Sequence, residues 1–462
     1  MFVSKLEKNI GIEVYATSTL GIGGVIRQFP EDFMVEEVLV DGLKAEIYPS
    51  AKLQLQVRET PPSPFVQRRL LCVLVKRNWD DFQAVRAVAQ QLGISPQQIH
   101  IAGIKDANAL TAQHVTIEGV TPEAIKKVKI NDIEIRPIRF FHAKLSSYYI
   151  LGNNFRIVVH AVSHSEADIK HRVSKVVGEL EALGGAPNFF GHQRFGTIRP
   201  ITHLVGKALI KGKFRKAAML FLAKPSPNEH PESRKAREKL WHTQDFKKAL
   251  KEFPKKLHHE RLMLWHLAKK PNDFVGAFRR LPAKLCTLFP QAYQAYLFNK
   301  ILSRRIAQGL QLNRVEFGDY VVGVEASGLP NISKYKIASQ ENISEIKKAL
   351  KLGKMFLALP LAGFRQKLSQ GVQGENEKHV LEEEGVSLEN FKIKGMPELS
   401  LKGGLRTALA PLKGFSLNKI SGDEVNPHKK KVVVSFMLYR GSYATVLLRE
   451  IMKPRNPLKA GF

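Results

Sequence analysis

The stretch Ala102-Gly-Ile-Lys-Asp-Ala-Asn-Ala-Leu-Thr-Ala-Gln113 organises the reading of this chain. A short strand at His100–Ala102 ends where a loop begins at Gly103–Ala107, and a second strand follows near Gln113–Ile117. Lys105 and Asp106 stand in the middle of that loop. Loops on a rigid sheet often carry catalytic side chains. Nearby positive charge favours the ionised form of a carboxyl group, and an ionised Asp can act as nucleophile or base. Taken alone, the segment reads more simply as a turn whose Asp caps the next element.

Outward from this loop the pattern is mixed α and β. Gly24–Gln28 and Phe33–Val40 have strand character around a break at Pro30–Asp32. Leu70–Lys76 is a buried-strand candidate. Asp80 or Asp81 caps a helix that carries Phe82, Val85, Val88, Ala89 and Leu92 at helical spacing and ends at Gly93. Ser95-Pro96 supplies an N-cap with Pro behind it. Phe155–His160 reads as a strand, and His164–Leu183 as a helix closed by Gly184-Gly185. Residues 203–270 are helical and basic, and Ala292–Ile306 is a further helix. Strands are expected near Val315–Val324. Residues 366–404, polar and rich in Gly and Glu, are expected to form a surface excursion. A strand at Val432–Leu438 precedes a helix from Gly441-Ser442 through Met452.

Composition narrows the function. The 462 residues suit roughly two to four domains. A hydrophobic content of 44% argues against a mostly disordered chain. The two cysteines, Cys72 and Cys286, cannot build a disulfide framework or a four-cysteine zinc site, and they point to a reducing, cytoplasmic setting. The N-terminal MFVSKLEKNIGIEVY lacks an apolar signal-peptide core, and the longest apolar run, Leu70–Val75, is too short to span a bilayer. A net charge of +30 favours polyanions, above all nucleic acid. Nineteen Lys and Arg face six Asp and Glu within 197–270, so the excess is clustered.

A second segment is dense in recognition chemistry: Pro187-Asn-Phe-Phe-Gly-His-Gln-Arg-Phe-Gly196. Phe can stack on a base, and Asn188, Gln193 and Arg194 can meet polar edges or phosphate. The plainer reading is an aromatic turn of the core. Gly21-Ile-Gly-Gly24 lacks the helix of a dinucleotide fingerprint and the spacing of a P-loop. His160 with His164, and His258-His259 with His266, read as ordinary histidines rather than metal ligands. Neither a Ser/His/Asp triad, a paired-carboxylate glycosidase nor a fixed-period repeat is visible.

Four segments in order carry a resemblance that none carries alone. They are Arg27 with Pro30-Glu-Asp-Phe-Met-Val-Glu-Glu37; Gly103 to Gln113; Asn188 to Gly196; and Gly441-Ser-Tyr-Ala-Thr-Val-Leu-Leu-Arg-Glu450. Together they resemble the TruD family of pseudouridine synthases. Gln291-Ala-Tyr-Gln-Ala-Tyr-Leu-Phe-Asn299 and Phe317-Gly-Asp319 are similar to that family's middle region. The resemblance covers nearly the whole chain, is least distinctive at 203–285 and 366–404, and leans to the long archaeal and eukaryotic form.

The resemblance implies an α+β fold, with a catalytic domain on a mixed, mostly antiparallel sheet and an inserted α/β domain that forms one wall of an RNA cleft. The catalytic domain would be 1–196 plus 406–462, and the insertion 197–405. It implies isomerisation of uridine to pseudouridine, typically at position 13 of tRNA, by a monomer with no metal and no organic cofactor. Asp106 takes the place of the family's catalytic Asp. Arg27 stands where the family has Lys and is expected to pair with Asp106 and keep it ionised, with Lys105 a further basic neighbour. Phe190 is expected to stack on the flipped uridine and Asn188 to bond its polar edge, with Phe189 packed inside. Gln193, Arg194, Lys211, Lys213, Arg215 and Lys216 are expected along the RNA. A catalytically silent RNA-binding or chaperone protein is the competing class, since charge alone would serve it. Two departures stand out. Ser146 and Tyr148 replace the Arg and first Gly of the family's Lys-Leu-Arg-x-Gly-x-Leu-x-Gly-Asn pattern, which leaves a phosphate contact missing or moved. Met437-Leu-Tyr-Arg-Gly441 stands where the family favours Leu-Pro-Lys-Gly.

Overall fold

The computed structural model describes residues 2–49 and 69–462. Its strands run in chain order as β1 (Phe33–Leu39), β2 (Arg69–Arg77), β3 (Ile99–Ile101), β4 (Leu110–Glu118), β5 (Ile133–Phe141), β6 (Ile150–Val162), β7 (Ala186–Pro187), β8 (Tyr320–Val324), β9 (Pro330–Ile337), β10 (Met355–Leu361), β11 (Gly404–Thr407), β12 (Leu409–Ala410), β13 (Lys413–Gly422) and β14 (Lys430–Tyr439). The main sheet has the order β13-β14-β6-β1-β4-β2-β5, with β3 added to β4. All its pairings are antiparallel except β1 with β4, where Met34 faces Leu110. A mixed, mostly antiparallel sheet is what the sequence led one to expect. Strands from both ends of the chain complete it, because β14 pairs with β6.

The parallel β1–β4 contact matters for function. A parallel pair needs a crossover, so the chain between the two strands must travel over the sheet before it returns. It returns through the loop after β3, which sets Lys105 and Asp106 next to the chain entering β1. Local chemistry fixes the path. Asp80 accepts from the backbone N–H groups of Phe82 and Gln83, capping the helix Asp81–Leu92, and Gly93 closes it in the left-handed conformation. Val85, Val88 and Ala89 of that helix pack with Leu70, Cys72, Leu74, Val115 and Ile117.

The helix Glu166–Leu183 and the final helix Ala444–Met452 share a core with β6 and β14. A larger core gathers the helices between Thr202 and Phe278 around one long helix, Ala283–Ala307. Phe189, Phe195, Leu409 and Val446 belong to that same core. A second sheet, ordered β11-β10-β8-β9 and antiparallel throughout, completes this half.

Several expectations are corrected. Residues 366–404 are not a surface excursion. They hold the helix Gly371–Glu383 and two short 3-10 turns, and Val380, Leu381, Phe391, Ile393, Met396 and Leu399 are buried in the large core. Their polar composition misled because Gln373 and Glu377 are themselves buried and hydrogen-bonded. The helix expected at Ala292 starts at Ala283 and continues through Pro290. An interior Pro costs about 3 kcal/mol, which the burial of Phe289, Pro290 and Tyr293 offsets. Gly24–Gln28 is not a strand; a single bridge joins Val25 to His160. The strand expected from Val315 begins at Tyr320. Among the described residues no helix is long and apolar enough to cross a membrane.

Candidate active site

Arg27 adopts φ +61°, a left-handed conformation uncommon for a residue with a side chain. Strain of this kind persists where the surroundings over-determine it. Here Ile26 N–H donates to the Ala460 carbonyl at 3.0 Å, and Arg27 Nη1 donates to the Gly461 carbonyl at 3.0 Å. The guanidinium lies 4.0 Å from the centre of the Phe33 ring. Its Nη2 reaches Asp106 Oδ1 at 2.8 Å, in an ion pair whose Asp side chain is 36% exposed. Burial lowers the Arg27 pKa and the Asp106 charge opposes that shift.

Behind this loop a buried histidine links two carboxylates. Phe29 N–H donates to Asp32, and His160 lies between Asp32 and Asp423 at 3.0 Å on each side. Burial pulls the His160 pKa down, but hydrogen bonds to the two carboxylates prevail and the net shift is upward. Burial alone would raise Asp423; bonds from the Ala161 N–H and from His160 leave it well below the usual carboxylate range.

The Asp106 loop is held from below by a fully buried pair. Lys76 Nζ donates to the Asp106 carbonyl at 2.9 Å and the Trp79 carbonyl at 2.7 Å, and it lies 3.2 Å from Asp81. Asp81 in turn accepts from Lys105 N–H at 2.7 Å and from Gln113 Nε2 at 3.2 Å. The Gln of the opening motif thus orients the carboxylate that orients the loop. Burial raises the Asp81 pKa against the pull of Lys76. Lys105 turns away from Asp106: its Nζ is 2.5 Å from buried Glu37, which also accepts from His114 N–H. Burial would raise Glu37, but His114 and Lys105 overcome it and the net shift is downward.

The aromatic segment forms a second group. Phe189 is fully buried, as expected, while Phe190 is only partly so. Asn299 pins the Phe190 backbone at both ends, with Oδ1 accepting from its N–H at 2.8 Å and Nδ2 donating to its carbonyl at 3.0 Å. The Arg406 guanidinium lies 4.1 Å from the Phe190 ring centre, and Arg194 lies 5.8 Å from it. Arg406 Nη2 also donates to Asn188 Oδ1, and Asn188 Nδ2 donates to Thr407. Asn188, expected at the polar edge of a uridine, is itself buried, with both ends of its carboxamide engaged within the protein. Arg194 donates to Gln291, and Gln193 accepts from Thr445.

The two departures from the family pattern meet in space. Arg440 donates to the Ser147 and Ile150 carbonyls and lies 5.9 Å from the ring of the 82% exposed Tyr148. The basic cluster lies elsewhere. Lys213, Arg215 and Lys216 line a groove of about 660 Å³ with Gln244, Asn272 and Phe274. Desolvation and the charges of Lys207, Lys213 and Lys216 lower the Lys211 pKa.

The structure therefore brings Arg27 to Asp106 and gathers Asn188, Phe190 and Arg194. Among the described residues, no hydrogen bond, ion pair or ring contact joins those two groups to each other or to the Lys211–Lys216 cluster. Sequence reasoning missed Lys76, Asp81, Asn299 and Arg406. Lys76 carried a signal, being a charged residue at the end of an apolar strand. Arg406 carried none, because it reaches Phe190 from a part of the chain more than two hundred residues away.

A mixed, mostly antiparallel sheet that takes strands from both halves of the chain, with a carboxylate–guanidinium pair on a half-open loop and a cation-backed aromatic in a separate segment, defines an α+β class of protein. The comparisons place the chain within that class. The family model for tRNA pseudouridine synthase D (TruD) matches residues 9–451. A relative from Methanosarcina mazei named "Probable tRNA pseudouridine synthase D" is 41% identical over 460 residues, covering 99% of this chain and 100% of its own. A Thermococcus onnurineus relative of the same name is 37% identical, with 95% and 97% covered. A Methanosarcina mazei crystal structure of the same family superposes with a TM-score of 0.82 at 41% identity, over 99% of this chain and 100% of that one. The chain belongs to the TruD family of pseudouridine synthases, in its long, archaeal-like form.

Proposed function

We propose that this protein converts uridine to pseudouridine in tRNA, at position 13, with Asp106 as the catalytic carboxylate. The observation that carries the reading is the 2.8 Å ion pair of Arg27 with Asp106 on a half-open loop, in a chain of this family. The reaction breaks the N1–C1′ glycosidic bond, turns the uracil, and joins C5 to C1′; the proton leaving C5 is balanced by the one gained at N1. A carboxylate serves this chemistry by attacking, or by countering positive charge at the sugar. Arg27 holds Asp106 in place through its own anchorage to the Gly461 carbonyl and the Phe33 ring. Lys105 contributes through Glu37 rather than by touching Asp106.

Enzymes that act on a base take it out of its stack, at a cost of a few kcal/mol. Phe190, backed by Arg406, offers a face for the extruded uracil, and Asn188 meets the polar edge by exchanging its bond to Thr407 or Arg406 for one to the base. Arg194 lies beside that aromatic face, and Gln193 precedes it in the chain. Lys211, Lys213, Arg215 and Lys216 supply phosphate contacts. The division into a catalytic part, 1–196 with 406–462, and an insertion, 197–405, is supported by the main sheet drawing its strands from 33–162 and 413–439.

Incubation with an unmodified tRNA transcript, followed by pseudouridine mapping, tests the reading. One new pseudouridine at position 13 is expected. Binding without product on any tRNA would favour the silent RNA-binding alternative.

A further inference from the structure

A cavity of about 730 Å³ opens behind the Arg27 loop, between Gly21–Val25, the helix Glu166–Leu183 and the C-terminal segment. This size falls within the roughly 300–1,000 Å³ of small-molecule sites. Its walls carry His164, Arg172, Lys453, Arg455 and Lys459, and no Asp or Glu. None of these four Lys and Arg side chains makes an ion pair among the described residues. Arg172 is fixed by bonds to the Gly21 carbonyl and His164, and Lys453 by bonds to the Thr17 hydroxyl and the Glu450 carbonyl. The glycine loop that the sequence left without a role forms one wall. A Cβ on Gly21 or Gly24 would strike the Met452 carbonyl or Val159, whereas one on Gly23 would meet nothing within 4 Å. The loop thus lies hard against its support and leaves open backbone toward the cavity. Phe2, 70% exposed, and Leu20, 63% exposed, add apolar surface at its edge.

The segment that walls the cavity is also the one that holds Arg27. Ala460, which lines it, accepts from Ile26 N–H, and Gly461 accepts from Arg27. A cationic, carboxylate-free cavity with an apolar edge suits a phosphodiester with its base. We infer that this cavity binds a nucleotide of the RNA substrate away from the target uridine, with its phosphate on Arg455 and Lys459 and its base against Phe2. The inference rests on the RNA-modifying reading above.

The test uses the full-length protein with Arg455→Ala and Lys459→Ala combined, beside the conservative pair Arg455→Lys and Lys459→Arg. Steady-state pseudouridine formation and tRNA affinity are measured across a salt series, with thermal melting to show that each variant is folded. The alanine pair should raise KM about tenfold, keep kcat within about twofold, and flatten the log–log salt dependence by roughly one, since each phosphate no longer neutralised removes about 0.7–0.9. The conservative pair should restore both. Unchanged affinity and slope in the folded alanine variant would overturn the site. So would UMP binding that the alanine pair abolishes while the tRNA slope stays put, which would assign the cavity to a free nucleotide. If the wild-type protein modifies no tRNA, the catalytic reading fails, while the binding slope still decides the cavity.

Discussion

Asp106 and Phe190 show how single residues divide between chemistry and support. Asp106→Asn keeps the shape of the side chain and one acceptor for Arg27 but removes the carboxylate. It should abolish pseudouridine formation and leave tRNA affinity within about tenfold, or ~1.4 kcal/mol, as read by filter binding. Substantial turnover would refute the assignment. The two adjacent phenylalanines separate in the opposite way. Phe190→Ala should depress kcat/KM with little change in Tm, because its ring is partly open and its backbone stays pinned by Asn299. Phe189→Ala empties a fully buried site, and should cost about 3–5 kcal/mol of stability. The reverse pattern would exchange their roles. Other motif residues prove structural. Asp319 forms a fully buried two-pronged pair with Arg305, and Arg449 joins Glu7 to Glu450. Removing one partner of such a pair costs about 3–5 kcal/mol.

At the scale of elements, the loop after β3 owes its shape to β2 and to the helix that follows it. Lys76→Met removes the donor to the Asp106 carbonyl and strands Asp81 without its cation. Activity should fall at least tenfold while the Arg27–Asp106 partners remain, and melting should drop by several degrees. An unaltered kcat would show that the loop holds itself. The helix Gly371–Glu383 makes a separate pH prediction. Burial of Glu377 raises its pKa from 4.5 to about 7, against bonds from Gln373 and Ser369. A carboxyl group with a raised folded-state pKa stabilises fully below its unfolded value. That contribution is lost as pH rises from about 4.5 through about 7. Glu377→Gln should abolish this decline, seen as a flatter Tm between pH 5 and 8 than in the wild type. Parallel curves would place the titration elsewhere.

At the scale of the whole molecule, the charge of +30 is unevenly spread, and its densest stretch lines a groove on the helical half. If tRNA lies across that groove, charge reversal at Lys211, Lys213, Arg215 and Lys216 should weaken binding uniformly across tRNA species. It should also flatten the salt slope by several units, because phosphate contacts add affinity without sequence choice. An unchanged slope would remove the patch from the RNA path. The shared core that joins Phe189 and Phe195 to the helices around Ala283–Ala307 gives this half a direct grip on the aromatic segment.

What could be read in the chain itself was the local and the motif-borne. The cap at Asp80 or Asp81, the Gly93 stop, the apolar β2 and the loop carrying Asp106 follow from spacing and side-chain chemistry within a few residues, whereas the buried Phe189 followed from the family resemblance. The family followed from four motifs in order. The three-dimensional fold decided what depends on residues far apart in sequence. Lys105 faces Glu37 because β1 lies beside β4. Arg406 backs Phe190 because β12 pairs with β7. The polar 366–404 segment is buried because its amides and Glu377 find partners that no local pattern encodes. Hydropathy and helical period report the neighbours a residue has along the chain. The partners that fix a charge or an aromatic face come from closure of the sheet and packing of the long helix, and these exist only once the chain has folded.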